Sequence, residues 1–335
     1  MNLHFETFRI KTAKPFRISR GETVEKTIII VHVDSGIGEG AAYTTYGETL
    51  QGNLQFLEEK IKPILNRYAP FELEEIHNEL EAISPRFNGI KMAVDMAIYD
   101  HIGKELGIPI YKFLGLSPKP VRTSYTIGID KIEVMQRDVE LHQDFEVFKI
   151  KVGTGNEIEV IGAIREVTDK PLRLDANEGW EAKEAVRKIN QILDKFDKIE
   201  FIEQPVPRWD IDGLAYVREN VPIPVIADES FHKLEDLKRL RDTVDGVNIK
   251  LAKTGGIYEA IKIVHAARAL GMKLMLGCMV ETSIAITAAA QISSLFNYVD
   301  LDGNLLLEND PFRGVETRNG RLELNDLPGL GVMER

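Results

Sequence analysis

Residues 148–153, Phe-Lys-Ile-Lys-Val-Gly, open the pattern that decides the fold. The residues alternate as in a β-strand. Because successive strand side chains point to opposite faces, Lys149 and Lys151 lie side by side. Two neighbouring ammonium groups repel each other. Either both are therefore exposed to water, or the protein makes use of the repulsion between them. A similar unit, a short β-branched segment followed by a polar turn and a segment of helical periodicity, recurs along the chain.

Eight strands of this kind are predicted. They are Thr123–Ile127, Val147–Val152, Leu172–Ala176, Glu200–Glu203, Pro224–Asp228, Gly246–Leu251, Lys273–Gly277 and Tyr298–Leu301. Strands that alternate with helices indicate a parallel sheet. An open doubly wound sheet, the alternative, would usually carry a Gly-rich phosphate turn after its first strand, and the sequence Ser124–Gly128 is not such a turn. We therefore expect a barrel.

The chain of 335 residues is long enough for a barrel domain of about 250 residues and a smaller domain. The fold class predicted is α/β, a modified TIM barrel of (β/α)7β type with an N-terminal α+β capping domain. The capping domain, residues 1–115, has predicted strands at 2–12 and 26–34 and predicted helices at 48–68, 71–83 and 89–106. The barrel is assigned to residues 116–305. No long helical pattern follows the eighth strand, so residues 306–335 are assigned to a segment that returns toward the capping domain.

Composition and charge exclude several classes of protein. The formal net charge is -11 and the lysines are scattered, which argues against binding to nucleic acid. The apolar run Ile28–Val31 is far shorter than the roughly 20 residues of a membrane helix, and the N-terminus lacks a signal pattern. The single cysteine, Cys278, can form no internal disulfide, which fits a reducing compartment. We expect a cytoplasmic protein without a membrane partner.

Charged residues stand at the ends of the predicted strands. They are Lys149 and Lys151 on strand two, Asp175 on strand three, Glu203 on strand four, Asp228 on strand five, Lys250 on strand six, and Asp300 and Asp302 on strand eight. Burying an unpaired charge is costly, so such positions rarely arise by chance. Because barrel enzymes build their active sites at the C-terminal strand ends, we expect these side chains to converge there.

The three acids Asp175, Glu203 and Asp228 end consecutive strands. Together they offer an oxygen-only site without His or Cys, which favours Mg²⁺, with Mn²⁺ as a substitute, over zinc. The alternative is that each acid caps a helix or forms an ordinary salt bridge.

The lysines suggest acid–base chemistry. A metal and the charge of Lys149 would weaken the hold of Lys151 on its proton, so that Lys151 could act as a base. Lys250 comes from the opposite side of the barrel, so one amine could remove a proton from a carbon and the other could return it to the opposite face. Structural ion pairs with the neighbouring acids are the alternative.

The ordered motifs KIK, LDANE, IEQP, IADES, NIKLAKTGG and LMLGCM resemble the enolase superfamily, in its muconate-lactonizing subgroup. The resemblance covers nearly the whole chain and implies a capping domain, a barrel without its last helix and one Mg²⁺ per subunit that binds a substrate carboxylate. It implies that Asp175, Glu203 and Asp228 are metal ligands and that Lys151 and Lys250 transfer protons through an enolate, as in enolase-superfamily sites generally. Lys149 would tune Lys151.

Within that subgroup the pair Asp300 and Asp302 is similar to the DxD pair of dipeptide epimerases, which holds the free amino group of the substrate. The resemblance implies epimerisation of the second residue of a dipeptide, with L-Ala-L/D-Glu as the expected substrate and cell-wall peptide recycling as the role. Arg20 matches the residue that meets the side-chain carboxylate, and Thr126 is assigned to substrate binding. The alternatives are an Asx-type turn before Gly303 and an exposed loop arginine.

Loops of the first domain carry the remaining resemblance. Pro15–Gly21 and Tyr46–Glu48 look like the cap loops of such epimerases, whereas the loop 38–45 lacks the prolines that we associate with them. Glu281 follows the seventh strand, and the sequence does not place it.

Other functions stay open at this point. An o-succinylbenzoate synthase or N-acylamino-acid racemase would share the metal and the lysines but would not need the acidic pair. A Schiff-base aldolase would use a lysine as nucleophile, survive a chelator and be trapped by borohydride. A non-catalytic protein on this fold would normally have lost some of the charged residues. The expected partner is a small dipeptide, and a homo-oligomer is possible.

Overall fold

A computed structural model describes residues 1–44 and 47–335. The chain begins with an antiparallel sheet of three strands in the order β1-β2-β3. Their bounds are β1 (Leu3–Ile18), β2 (Gly21–Val33) and β3 (Gly36–Ala41). The two predicted strands are present and longer than expected, because β1 continues past Pro15 through an irregularity between Lys11 and Phe16. The third strand was not predicted.

The helices of the first domain follow this sheet. They are α1 (Leu50–Phe56), α2 (Lys62–Leu65), α3 (Leu73–Ile83), α4 (Asn88–Leu106) and α5 (Ile110–Phe113). A π-helical turn, Leu57–Ile61, joins α1 to α2, so the helix predicted at 48–68 is one continuous helical stretch in three parts. The predictions at 71–83 and 89–106 match α3 and α4. None of the helices in the described part of the chain is long and apolar enough to cross a membrane.

Strand β3 lies directly against α4 through glycine. A Cβ atom at Gly38 would lie 1.9 Å from the carbonyl oxygen of Ala93, and one at Gly36 would lie 1.9 Å from that of Ala97. No side chain fits in that space. The glycines of β3 therefore let the helix backbone rest on the sheet.

Eight parallel strands form the second domain, in the same order as in the chain. After a short strand β4 (Val121–Arg122), they are β5 (Tyr125–Ile127), β6 (Phe148–Lys151), β7 (Leu172–Asp175), β8 (Ile199–Glu203), β9 (Val225–Ala227), β10 (Gly246–Ile249), β11 (Lys273–Gly277) and β12 (Tyr298–Asp300). The N–H of Ser124 donates to the carbonyl of Val299 at 3.2 Å, which brings the first and last strands together. All eight predicted strands are confirmed.

Helices surround this barrel. They are α6 (Ile132–Leu141), α7 (Glu157–Val167), α8 (Ala182–Leu193), α9 (Ile211–Asn220), α10 (Leu237–Leu240), α11 (Leu251–Thr254), α12 (Ile257–Ala269) and α13 (Ser283–Ala290). Strand β12 is followed by a 3-10 turn, Gly303–Leu306, and not by a barrel helix. The modified barrel is therefore confirmed. One apolar core includes Met92 and Met96 of α4 together with barrel residues such as Ile257, so the two domains pack tightly.

The C-terminal segment folds back over both domains. Its strands are β13 (Phe312–Arg313), β14 (Glu316–Arg318), β15 (Arg321–Glu323) and β16 (Met333–Glu334). Strand β15 pairs with β4, and the N–H of Glu308 donates to the carbonyl of Lys11 at 2.9 Å. We retain the boundaries 1–115, 116–305 and 306–335 as a proposal.

Candidate active site

The predicted acids and lysines lie at one end of the barrel. The sheet register pairs Lys151 of β6 with Asp175 of β7, and Asp175 with Glu203 of β8. Asp228 follows β9 directly and Lys250 follows β10 directly. These five side chains are all buried, with residue exposures of at most 8%. The structure thus brings them together as the sequence indicated, while their chemical roles stay predictions.

Lys149 lies at the centre of the acids. Its Nζ is 2.7 Å from Glu203 Oε2, 2.8 Å from Asp300 Oδ2 and 3.0 Å from Asp175 Oδ2. Burial alone would lower the pKa of Lys149, but Asp300, Glu203 and Asp175 outweigh it and raise that pKa well above its usual range. Lys149 is therefore a fixed positive charge that links three strands.

Lys151 shares an acid with Lys149. The Lys151 Nζ lies 2.6 Å from Asp175 Oδ2, the same oxygen that Lys149 contacts. Burial would raise the pKa of Asp175, but Lys151 and Lys149 lower it to about 2. Both ammonium groups thus meet on one carboxylate oxygen, which places a positive charge beside Lys151 as the alternating sequence predicts.

A second group of charges faces the first. Lys250 Nζ donates to Asp228 Oδ2 at 2.8 Å. Lys253, which sequence reasoning missed, donates to Asp228 Oδ1 at 2.5 Å and to the carbonyls of Asp228 and Asn248 at 2.6 and 3.0 Å. Burial would raise the pKa of Asp228, but the two lysines hold it well below its usual range. A second lysine three residues after Lys250, in KLAK, was the available signal.

The surroundings of Glu203 indicate whether Asp175, Glu203 and Asp228 suit a metal ion. Its buried Oε2 makes an ion pair with the Lys149 ammonium at 2.7 Å but no hydrogen bond among the described residues, and its Oε1 accepts from Asn248 Nδ2 at 2.7 Å. Burial, with the nearby Asp175, raises the pKa of Glu203 to about 7. Three crowded, buried carboxylates fit a hard divalent cation such as Mg²⁺ by their chemistry.

In this structure the carboxylates of Asp175 and Asp228 are oriented toward lysines. Within residues 1–44 and 47–335, no three acid, histidine or cysteine side chains converge on a position where they could hold a metal ion. The reason is physical, since oxygens of Asp175 and Asp228 contact ammonium groups. Binding a metal would require these carboxylates to turn from their lysines.

The acidic pair occupies the wall between β12 and β5. Asp300 accepts hydrogen bonds from Lys149 and from the hydroxyl of Ser124. Asp302 accepts the backbone N–H of Thr126 at 2.6 Å. Burial, with the nearby Asp300, raises the pKa of Asp302 to about 7. A cationic ligand group beside Asp302 would favour the ionised form of that carboxyl, so the pair suits such a group.

Arg20 reaches the barrel mouth from the tip of the β1–β2 hairpin. Its guanidinium pairs with Glu178 and Glu229. Burial, with the nearby Asp228, raises the pKa of Glu229 to about 7. Sequence reasoning identified Arg20 but not these two partners, because nothing local to either glutamate indicates a contact with the hairpin.

The remaining loop residues lie between the domains. The hydroxyl of Tyr43 donates to Glu281 Oε1 at 2.9 Å, and the carboxylate of Glu39 accepts the N–H of Thr282. Glu281 is thus placed at the contact between the first domain and the loop after β11. Tyr46 and the end of the 38–45 loop, Thr45, fall outside the described residues.

Comparison with known proteins identifies the family. Residues 4–115 match the N-terminal domain of the mandelate racemase / muconate lactonizing enzyme family, and residues 133–333 match the enolase C-terminal domain-like family. An L-Ala-D/L-Glu epimerase of Bacteroides thetaiotaomicron is 41% identical over 342 residues, which cover 100% of this chain and 88% of that protein.

Solved structures give the same result. A dipeptide epimerase of Enterococcus faecalis complexed with Mg and the dipeptide L-Leu-L-Tyr superposes with a TM-score of 0.91 at 38% identity, covering 98% of both chains. An N-succinyl Arg/Lys racemase of Bacillus cereus superposes with a TM-score of 0.92 at 30% identity, covering 99% of this chain and 95% of the other. The chain therefore belongs to the mandelate racemase and muconate lactonizing enzyme family of the enolase superfamily, and it is an isomerase of the racemase and epimerase class.

Proposed function

We propose that this enzyme is a Mg²⁺-dependent dipeptide epimerase that inverts the α-carbon of the second residue, with L-Ala-L/D-Glu as its substrate. The observation that carries the proposal is the opposition of two buried lysines. Lys151 ends β6 and Lys250 follows β10, four strands away in an eight-stranded barrel. A carbon held between them is accessible to an amine from either face.

Asp175, Glu203 and Asp228 would hold the metal, one Mg²⁺ per subunit, or Mn²⁺ in its place. When bound, the metal would supply positive charge that stabilises the negative charge developing on the substrate carboxylate. The relative from Enterococcus faecalis was solved with Mg, which supports the choice of ion.

The two lysines would carry the proton. Burial would lower the pKa of Lys250, but Asp228 and Glu203 outweigh it and raise that pKa, so Lys250 holds a proton that it can donate. In one direction Lys151 removes the α-proton and Lys250 supplies another to the opposite face. In the reverse direction their roles exchange.

Asp302 and Asp300 would bind the free amino group of the dipeptide. Asp300 already contacts Lys149, whereas one oxygen of Asp302 accepts a hydrogen bond from the N–H of Thr126. The substrate ammonium group would therefore add to an acidic pair that one lysine only partly neutralises. Thr126 contributes by holding the Asp302 carboxylate.

Arg20 would meet the side-chain carboxylate of a Glu in the second position. It is shared with Glu178 and Glu229, so an acidic side chain must compete with two protein carboxylates for the guanidinium. A hydrophobic second residue would avoid that competition, and a relative from Enterococcus faecalis that is named a hydrophobic dipeptide epimerase is 39% identical to this chain. Relative rates across a panel of dipeptides distinguish an acidic second residue from a hydrophobic one.

Proton NMR in D₂O tests this function. L-Ala-L-Glu, L-Leu-L-Tyr and other dipeptides are incubated with enzyme and Mg²⁺, with and without EDTA, and the α-proton of the second residue is followed. We expect its signal to disappear and the diastereomer to appear only with the metal, at rates that rank the substrates. Absence of exchange with every dipeptide would refute the proposal.

An N-acylamino-acid racemase is the second candidate. The similarity to the N-succinyl Arg/Lys racemase favours it, as does the pairing of Asp300 with Lys149, which gives that acid a role without a substrate amine. The same NMR assay with N-succinyl and N-acetyl amino acids distinguishes the two. Racemisation of the acylated compounds without exchange in free dipeptides would select this candidate.

A further inference from the structure

Helix α4 of the first domain holds the segment that follows Lys250. Asn88 Nδ2 donates to the carbonyl of Lys253 at 2.6 Å. Two helical turns later, the Asp95 carboxylate accepts the N–H of Ile257 at 2.5 Å and that of Tyr258 at 3.3 Å. Residues two turns apart share a helix face. One face of α4 therefore fixes both ends of the segment 253–258.

That segment has little stability of its own. Lys250 is the N-cap of α11, which contains only the four residues Leu251–Thr254. Two glycines with positive φ follow, Gly255 at +95° and Gly256 at +123°. A single helical turn is a poor structure in isolation, so its position depends on the contacts that hold it.

Asp95 is well placed to hold it. The residue is fully buried, and its Oδ1 lies 2.9 Å from Nε2 of His77, whose ring stacks on Tyr258 with 4.4 Å between centroids. A Cβ atom at Gly256 would lie 2.3 Å from Asp95 Oδ2. The carboxylate thus acts as the N-terminal cap of α12, supplied by the other domain, and the chain approaches it too closely for any residue but glycine.

We propose that Asp95, assisted by Asn88, is a positioning residue for the Lys250 side of proton transfer. By anchoring 253–258 from the first domain, it sets where the Lys250 amine stands relative to the substrate carbon. Lys151 is positioned differently, by the register of β6 with β7. This inference rests on the proposed epimerase function, and it predicts that disturbing Asp95 affects one lysine more than the other.

The chain contains a matched control on the same helix. Asp100 is equally buried and also accepts two backbone N–H groups, from Ile37 at 3.0 Å and Leu330 at 2.8 Å. These belong to β3 and to the C-terminal segment, not to the segment after Lys250. Asp100→Asn therefore removes a similar buried anchor from α4 at a different place.

The experiment measures α-proton exchange with D₂O from each of the two dipeptide diastereomers separately. In a site with two bases, one diastereomer presents its proton to Lys250 and the other to Lys151. Lys250→Met identifies which is which. The unmodified enzyme is then compared with the variants Asp95→Asn, Asp95→Ala and Asp100→Asn. If Asp95→Ala does not fold, the comparison relies on Asp95→Asn.

We expect Asp95→Asn to slow exchange of the Lys250-facing diastereomer, and inversion with it, by about tenfold, because small displacements of a catalytic group are costly. Exchange of the other diastereomer should stay within about twofold, because Lys151 is held by the pairing of β6 with β7 and is not displaced. Equal slowing of both diastereomers by Asp95→Asn, or the same asymmetry in Asp100→Asn, would overturn the inference.

Failure of the proposed function is recognised separately, since the unmodified enzyme would then exchange no dipeptide. The anchoring role is decided in that case by hydrogen–deuterium exchange of the backbone amides, read by mass spectrometry. Faster exchange confined to peptides covering 250–258 in Asp95→Asn, and absent in Asp100→Asn, supports the anchor. Unchanged protection of that segment in Asp95→Asn refutes it.

Discussion

The two sides of the barrel mouth hold their lysines by different means. On one side Lys149 and Lys151 belong to β6, and sheet register sets them beside Asp175. On the other side Lys250 stands just beyond β10 at the start of a one-turn helix, and Asp228 and contacts from α4 set its position. A strand fixes a side chain by local pairing. A loop needs help from elsewhere in the molecule, which makes the Lys250 side the more sensitive one.

The largest effect is expected from removing either lysine. Lys151→Met and Lys250→Met should each lower the rate of inversion by about 10³-fold, since each removes one of the two proposed acid–base groups. The two variants should differ in which diastereomer still exchanges its α-proton with D₂O. Retention of exchange by the same diastereomer in both variants would contradict the assignment of the lysines to opposite faces.

The acids should differ in their contribution to stability. Asp228→Ala leaves Lys250 and the fully buried Lys253 without their carboxylate, and breaking a buried pair costs about 3–5 kcal/mol. Asp175→Ala should cost less, because Lys149 keeps its contacts with Glu203 and Asp300. Urea unfolding in EDTA measures both, and a larger loss for Asp175→Ala would reverse the comparison.

The free energy of unfolding is expected to depend on pH through the ionisation of Glu203. Its pKa is raised from 4.5 to about 7 in the folded protein, so between these values the folded state binds more protons than the unfolded state. The free energy of unfolding should therefore fall as pH rises from about 4.5 to about 7, by up to roughly 3 kcal/mol at 1.36 kcal/mol per unit.

Glu203→Gln should flatten part of that slope in chelator-treated protein, measured by urea unfolding at a series of pH values. Glu200→Gln, on the same strand, is the control. Burial would raise the pKa of Glu200, but Arg173 lowers it below 4.5, so its titration lies outside this window. Equal slopes in Glu203→Gln and the unmodified protein would show that Glu203 ionises normally.

The smallest effect concerns Lys149. Lys149→Met removes the positive neighbour that shares Asp175 Oδ2 with Lys151, and a positive neighbour favours the neutral, basic form of an amine. The pH at which activity appears should rise by about one unit. Unchanged pH dependence of kcat/KM would refute tuning and leave Lys149 with the structural role of linking three strands.

The positions of the strand-end residues could be predicted because they follow from local pattern. Strand alternation places Lys149 and Lys151 on one face, and parallel strands carry Asp175 and Glu203 to the same end. Lys253, Glu178 and Glu229 could not be placed, because their partners come from other strands and from a hairpin distant in sequence. The contacts of Arg20 were missed for the same reason.

Strand β3 was missed for a different physical reason. Gly36, Gly38 and Gly40 make the segment read as a loop, since glycine disfavours isolated strands. The strand exists because α4 occupies the space that side chains would fill. Only the tertiary structure reveals that requirement.

The contact of β3 with α4 has a consequence for protein engineering. One face of helix α4 packs against the glycines of that sheet. Another face forms hydrogen bonds with the segment after Lys250. A chimera that takes its first domain from another family member, to change the substrate, would therefore also exchange the support of Lys250, the proposed acid–base residue. Such a graft should retain Asn88 and Asp95, or a change in specificity will be confounded with a loss of turnover.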